Sequence, residues 1–206
     1  MHSSGIGHTT PNMKQEKVIE VFKSTGALLE GHFILSSGLH SRVYLQCAIA
    51  LQTPVVAAEF GEAIANEFYE KGIQTVASPA IGGLIIGYEV ARQLGVRFIW
   101  TEREQGAMAL RRGFSVSNGE RVLVVEDVIT TGGSTRDTIS ALENHGATVV
   151  GAASIIDRSA GSADVGVPRF SLATLNVPAI EPAACQACAR GELAVKPGSR
   201  SSSQTV

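Results

Sequence analysis

The chain has 206 residues, 44% hydrophobic and 17% charged, with a formal net charge of −2. This fits one globular domain with a sizeable core. It gives no global reason to expect a nucleic-acid partner, and no apolar stretch approaches the length of a membrane span. Three cysteines, Cys47, Cys185 and Cys188, are too few for a disulfide framework and favour a reducing, cytoplasmic setting.

Residues 1–13 lack a charged start and an apolar segment, and read as a disordered leader rather than a secretory signal. Apolar positions at helical spacing (Val18, Ile19, Val21, Phe22) predict a helix over residues 15–25, with Gly26 as its stop. Residues 31–35 and the Ser36-Ser37-Gly38-Leu39-His40-Ser41 stretch predict a hairpin or loop. Thr53-Pro54 opens a helix running to about Lys71, because proline suits the first helical position and Thr can cap; Gly72 ends it. Strands are expected at residues 74–79, 97–101, 122–125 and 148–156. Helices open at Ile81-Gly82-Gly83, ending near Gly95, and run from about Ser134 to His145. Strands separated by helices of this length favour a parallel sheet with right-handed crossovers. Cys185 and Cys188 form a lone Cys-x-x-Cys; zinc would need two more ligands and no histidine follows, so a surface turn without metal is expected. From about Lys196 the Ser- and Gly-rich tail, residues 196–206, reads as disordered. One domain is therefore expected over residues 14–195.

Residues 122–135 carry the most chemistry. An apolar strand ends in Glu126 and Asp127, then passes through Val128, Ile129, Thr130, Thr131, Gly132, Gly133 and Ser134 into a helix. Glycines and hydroxyls let backbone N–H groups converge on a phosphate, and the helix start adds its positive dipole end. Carboxylates beside such a pocket repel a bare phosphate; they suit a ligand that also carries hydroxyls, as a ribose does, or a bridging cation. A Walker loop is excluded because no lysine lies here, and the dinucleotide Gly-x-Gly-x-x-Gly is absent. On an extended backbone Glu126 and Asp127 point to opposite faces, which argues against one symmetric chelate.

The stretch Val-Glu-Asp-Val-Ile-Thr-Thr-Gly-Gly-Ser-Thr resembles the phosphoribosyl-pyrophosphate signature of the type I phosphoribosyltransferases. Gly31-His32-Phe33-Ile34-Leu35-Ser36-Ser37-Gly38, Ser78-Pro79-Ala80-Ile81-Gly82-Gly83, Leu110-Arg111-Arg112-Gly113-Phe114 and Ile156-Asp157-Arg158 extend the likeness to the orotate phosphoribosyltransferases. The resemblance implies a type I phosphoribosyltransferase-like α/β fold: a parallel-rich central sheet flanked by helices, with a small hood region. It implies transfer of ribosyl phosphate from 5-phosphoribosyl 1-pyrophosphate to orotate, with Mg2+, in a cytoplasmic homodimer that needs neither nucleic acid nor membrane. By the same resemblance Glu126, Asp127, Val128, Ile129, Thr130, Thr131, Gly132, Gly133 and Ser134 hold the sugar phosphate, and Ile81-Gly82-Gly83 faces the pyrophosphate. Thr130 and Arg158 meet orotate, and Arg103 and Asp127 are catalytic, Arg103 also touching the pyrophosphate.

Lysines that many members carry at the positions of Ser36 and Gly82 are missing, and residues 104–110 hold no basic group before Arg111 and Arg112. Arg111 and Arg112 read equally as a solvated strand face, and Arg158 also reads as a surface ion pair with Asp157 or Asp164. His145, before a helix stop, suits the dipole. Alternative readings are a purine-type enzyme of the same fold and a non-catalytic nucleotide sensor.

Overall fold

The computed structural model describes residues 13–35 and 37–197. The expected leader (apart from Met13), Ser36 and the expected tail (apart from Lys196 and Pro197) lie outside the described residues.

Helix α1 (Gln15–Ser24) turns Val18, Val21 and Phe22 inward and ends where Gly26 adopts φ 74°. Strands β1 (Leu28–Ile34) and β2 (His40–Leu45) form a separate antiparallel hairpin, the hood. A short helix not foreseen in the sequence, α2 (Cys47–Leu51), leads into α3 (Pro54–Phe68). Proline opens α3 as expected, but the Thr53 side chain makes no capping hydrogen bond. A 3₁₀ turn, Tyr69–Lys71, carries the chain to Gly72.

The main sheet has the order β5-β4-β3-β6-β7-β8. Strands β3 (Thr75–Pro79), β4 (Arg97–Glu104), β6 (Arg121–Ile129), β7 (Thr148–Asp157) and β8 (Arg169–Thr174) run parallel, and β5 (Ala107–Leu110) is antiparallel to β4. The expected strands therefore exist, β4 and β6 extend past their expected ends, and β5 and β8 are edge strands that the sequence pattern did not reveal. Central β6 reads as an unbroken apolar run because helices cover both faces of the sheet. Its Val122, Leu123, Val124 and Val125 are all 0% exposed.

Helices α4 (Gly83–Leu94) and α5 (Gly133–Glu143) follow β3 and β6. Helix α4 sits unusually close to its neighbours. A Cβ on Gly87 would lie 2.1 Å from Ser78 Oγ, and one on Gly61 of α3 would lie 2.6 Å from Glu89 Cβ. Beyond β8 the chain returns to the hood through a 3₁₀ turn at Pro182–Ala184 and a four-residue helix, α6 (Gln186–Ala189). The surface turn expected around the Cys-x-x-Cys is thus helical, with Cys185 buried and Cys188 exposed.

Candidate active site

The site forms at the carboxyl ends of β3, β6 and β7, where ligands bind in open parallel sheets. Pairing of β6 with β3 stops at Val124, while pairing with β7 runs on to Ile129. Beyond Val124 the strand is therefore flanked on one side only, and Glu126 and Asp127 occupy that stretch.

The two acids do not diverge as an ideal strand would place them. Both face the turn that starts α4: a Cβ on Gly82 would lie 2.7 Å from Asp127 Oδ1, and one on Gly83 3.3 Å from Glu126 Oε1. The Asp127 N–H donates to Glu126 Oε1 at 3.2 Å, and the Val128 N–H to Asp127 Oδ1 at 2.8 Å. Beyond Val124 no β3 partner holds the strand end, and the two side chains share one face. The glycines at 82 and 83 make this approach possible: a side chain at 82 would push into the Asp127 carboxylate, and one at 83 into the Val125 carbonyl and Ser78.

Among the described residues no Lys, Arg or His forms an ion pair with either acid. Burial, reinforced by the Asp127 charge, pushes Glu126 up to about 9; burial also raises Asp127. Two adjacent buried carboxylates without a counter-charge hold a proton between them at neutral pH. Cys47, at the start of α2, lies beneath, its thiol pushed up by burial and by both acids, so it is an inert neighbour rather than a nucleophile. No local pattern around Cys47 marks it as the residue beneath the acids.

After Ile129, Thr130 and Thr131 are exposed, and Gly132 takes φ 75° to enter α5. Gly133 and Ser134 form the helix start. The Arg136 guanidinium donates to the Thr131 carbonyl at 2.9 Å and also to the Asp164 carbonyl, tying the loop to the segment after β7. This is a backbone-lined anion cradle at a helix N-terminus.

Arg158 follows β7, its backbone N–H bound to the Ile129 carbonyl at 2.8 Å, so it stands beside the end of the acidic strand. Neither ion pair read from the sequence forms. Asp157 is taken by Arg169 at 2.7 Å, Ser159 and Gly161, while Asp164 Oδ1 accepts from the Gly166 N–H. Arg158 is half-buried, its Nε is buried without a hydrogen-bond partner, and desolvation lowers its pKa. A guanidinium in that condition is built to receive an anion.

Arg103 lies on β4, half-exposed, donating to the Gly106 carbonyl at 2.7 Å and pairing with Asp137 of α5 at 3.4 Å. The segment after it is a tight hairpin, and its basic residues are engaged: Arg111 with Glu104 at 3.4 Å, Arg112 with both oxygens of Glu102. The strand-face reading of Arg111 and Arg112 therefore describes this structure. His145 Nδ1 donates to the Ala141 carbonyl, 2.8 Å away, at the end of α5.

A β3–turn–α4 loop pressed on two buried acids, an anion cradle after β6 and an unpaired arginine after β7 define a phosphoribosyltransferase-type site. The profile of the phosphoribosyl transferase domain family matches residues 51–172. The orotate phosphoribosyltransferase of Desulforamulus reducens is 50% identical over 188 residues, 91% of this chain and 98% of that protein. That of Thermotoga maritima is 51% identical over 181 residues, 88% and 97% of the two chains. The crystal structure of the Aeropyrum pernix orotate phosphoribosyltransferase, 30% identical, superposes with a TM-score of 0.63 over 77% of this chain and 93% of that one. An adenine phosphoribosyltransferase from Thermoanaerobacter pseudethanolicus, 18% identical with a TM-score of 0.56 over 65% and 88% of the chains, shares the fold alone. The chain belongs to the orotate phosphoribosyltransferase family.

Proposed function

We propose that this protein transfers ribosyl phosphate from 5-phosphoribosyl 1-pyrophosphate to orotate, forming orotidine 5′-monophosphate and pyrophosphate. The observation that carries the choice of base is Arg158: an unpaired, half-buried guanidinium beside the sugar-phosphate strand. It matches a small planar carboxylate, which orotate has and the purine bases lack.

The residues divide the work by position. The N–H groups of Thr130, Thr131, Gly132, Gly133 and Ser134 bind the 5-phosphate, and α5 adds its dipole. Glu126 and Asp127 meet the ribose hydroxyls; a protonated Glu126 donates one hydrogen bond and accepts another. Arg158 grips the orotate carboxylate as a two-pronged fork, with Thr130 beside the ring, and aims the ring nitrogen at C1 of the ribose. The new N–C bond forms as the C–O bond to pyrophosphate breaks, and the electron pair leaves with the pyrophosphate. Positive charge develops on the ribose, so positioning and charge stabilisation dominate over covalent chemistry. Asp127 stabilises that charge, and Arg103 receives the departing anion. The turn at Ile81, Gly82 and Gly83 offers backbone amides to the same group.

The acids fit a divalent cation, since they are buried and uncompensated by any basic side chain among the described residues. Asp127 and Glu126 would hold Mg2+ together with the substrate's oxygens. When bound, the ion neutralises the pyrophosphate and makes it a better leaving group.

A homodimer is supported by exposed apolar residues on α4 and the sheet edge, notably Ile85 at 46% and Tyr88 at 59% exposure, next to Trp100. A cytoplasmic setting is supported by three free thiols. No described helix is long and apolar enough to cross a membrane.

Purified protein with magnesium and phosphoribosyl pyrophosphate is expected to consume orotate, followed by the loss of its ultraviolet absorbance. Consumption of adenine or hypoxanthine instead overturns the base assignment, and no turnover of any base points to a nucleotide sensor.

A further inference from the structure

A two-stranded hairpin is marginal alone in water, and the segment that covers it contains only a 3₁₀ turn and the four residues of α6. Backbone ladders join the two: His40 and Ile180 exchange both hydrogen bonds at 2.8 Å, while Ile34 and His32 bracket Val195 at 2.9 and 2.8 Å. This return brings the Cys-x-x-Cys onto the hairpin. His32 of β1, His40 of β2, Cys185 and Cys188 converge so that their ligand atoms all lie within 4.8 Å of one another.

The geometry points to a structural zinc site of the Cys2His2 type, formed by His32, His40, Cys185 and Cys188. Zinc bonds of roughly 2.0–2.3 Å in a tetrahedron set ligand atoms about 3.3–3.8 Å apart. Cys185 Sγ is 3.4 Å from His32 Nε2, and Cys188 Sγ is 3.7 Å from His32 Nε2 and 3.3 Å from His40 Nδ1. Of these four pairs only the two ring nitrogens, 2.8 Å apart, are closer than that range, and they need to part by about half an ångström.

Two further observations favour a metal over a buried histidine pair. His32 Nδ1 lies 2.9 Å from the Glu192 carbonyl, which can only accept. The neutral ring therefore carries its proton on Nδ1 and aims the Nε2 lone pair into the cluster, the backing that metal-bound histidines receive. Cys185 precedes the first residue of α6 and Cys188 lies within it, three positions on, so both sulfurs reach the same side of one helical turn. Mixed thiolate and imidazole donors in a four-ligand set select zinc among the common divalent ions. Binding releases the two thiol protons, and His40 moves its remaining proton to Nε2 to free Nδ1. The ion would clamp residues 180–195 to the hairpin.

The test uses the full chain, purified in reducing buffer and passed over a chelating resin to strip loose metal. Elemental mass spectrometry is expected to find about one zinc per chain, and Cys188→Ser and His40→Asn to retain less than about a fifth of it. Cys47→Ala, which alters the thiol outside the cluster, is expected to keep the full amount. Should a ligand variant fail to fold, the wild-type chain reconstituted with Co2+ decides. A tetrahedral cobalt spectrum with sulfur-to-cobalt charge transfer, displaced by one equivalent of Zn2+ at about nanomolar affinity or tighter, supports the site. Hydrogen exchange is expected to quicken at residues 180–195 when a strong chelator removes the metal. Failure of wild-type protein to take up zinc, full retention by Cys188→Ser, or an octahedral cobalt spectrum overturns the proposal. None of these readouts involves turnover, so they stand or fall apart from the assignment of orotate.

Discussion

Replacing Glu126 by glutamine is expected to stabilise the unliganded protein while abolishing most of its activity. In the folded chain burial and Asp127 push Glu126 up to about 9, from an ordinary 4.5. Below pH 4.5 both folded and unfolded chains carry the proton and the residue is neutral to stability. Between 4.5 and about 9 the unfolded chain has ionised and the folded chain has not. Folding then takes up a proton, and stability falls by about 1.4 kcal/mol per pH unit. At pH 7, 2.5 units above the unfolded value, the cost is up to about 3 kcal/mol, which corresponds to roughly 6–12 °C in Tm for a domain of this size. Glutamine keeps the oxygen that accepts the Asp127 N–H and cannot ionise, so the cost disappears. Urea unfolding of both proteins at pH 5, 6, 7 and 8 measures it. The gap between the Gln variant and wild type should be under about 1 kcal/mol at pH 5 and widen steadily with pH. Parallel stability curves across that range, or a variant less stable than wild type at pH 8, would refute the reasoning that Glu126 is a buried, proton-holding acid. Turnover should move the other way, because the ribose and its cation lose a carboxylate, as befits a site that gives up stability for function.

Arg158→Lys keeps the charge but loses the planar fork, and should raise the orotate KM roughly 30-fold, about 2 kcal/mol, with the phosphoribosyl pyrophosphate KM little changed. Steady-state kinetics with each substrate varied in turn checks it, and equal effects on both would sink the role. Gly132→Ala meets two obstacles, φ of 75° and a Cβ 2.8 Å from Val165 Cγ1. It should cost on the order of 1–2 kcal/mol and weaken phosphoribosyl pyrophosphate binding, read by calorimetric titration. Gly87→Ala drives a methyl into Ser78 and Phe98, and should lower Tm by roughly 4–8 °C for about 2 kcal/mol, measured by calorimetric melting. Asp157 is raised by burial but lowered more by Ser159 and Arg169, so its net pKa lies below 3.8. Its contribution is present above 3.8 and is lost as pH falls through the lower folded value, so Asp157→Asn should be less stable than wild type at pH 6 and converge with it in acid. A constant gap down to pH 2 in denaturant melts would contradict this.

Much of the architecture was legible because glycines mark helix ends and apolar runs mark buried strands. Gly26, Gly72 and Gly95 adopt positive φ where the pattern placed their stops. Strand β6 declared itself because its central residues have no solvent face. Edge strands gave weaker signals. In β5 the buried Met108 stands among alanines, and β8 begins at Arg169, whose charge serves a buried aspartate rather than solvent. The residues proposed for the site stand out by motif, but their relations do not. That Glu126 and Asp127 share one face depends on where β3 stops pairing, and that Arg158 is unpaired depends on Arg169 claiming Asp157. The first is decided by a strand about 50 residues upstream, the second by an arginine 12 positions beyond Asp157. The same holds for the cysteine pair, whose imidazole neighbours lie about 150 residues upstream; nothing in local spacing could join them.

Adjacent residues at the end of β7 are committed to opposite tasks. Asp157 is sunk in the scaffold, locked to Arg169, Ser159 and Gly161, whereas the Arg158 side chain supports no part of the frame among the described residues. The frame can therefore keep its anchor while the neighbouring side chain is exchanged. With Arg158 in its proposed role, selectivity for the acceptor ring is a replaceable module on this scaffold, and a lineage or an engineer could retune it by one codon without first having to restabilise the sheet.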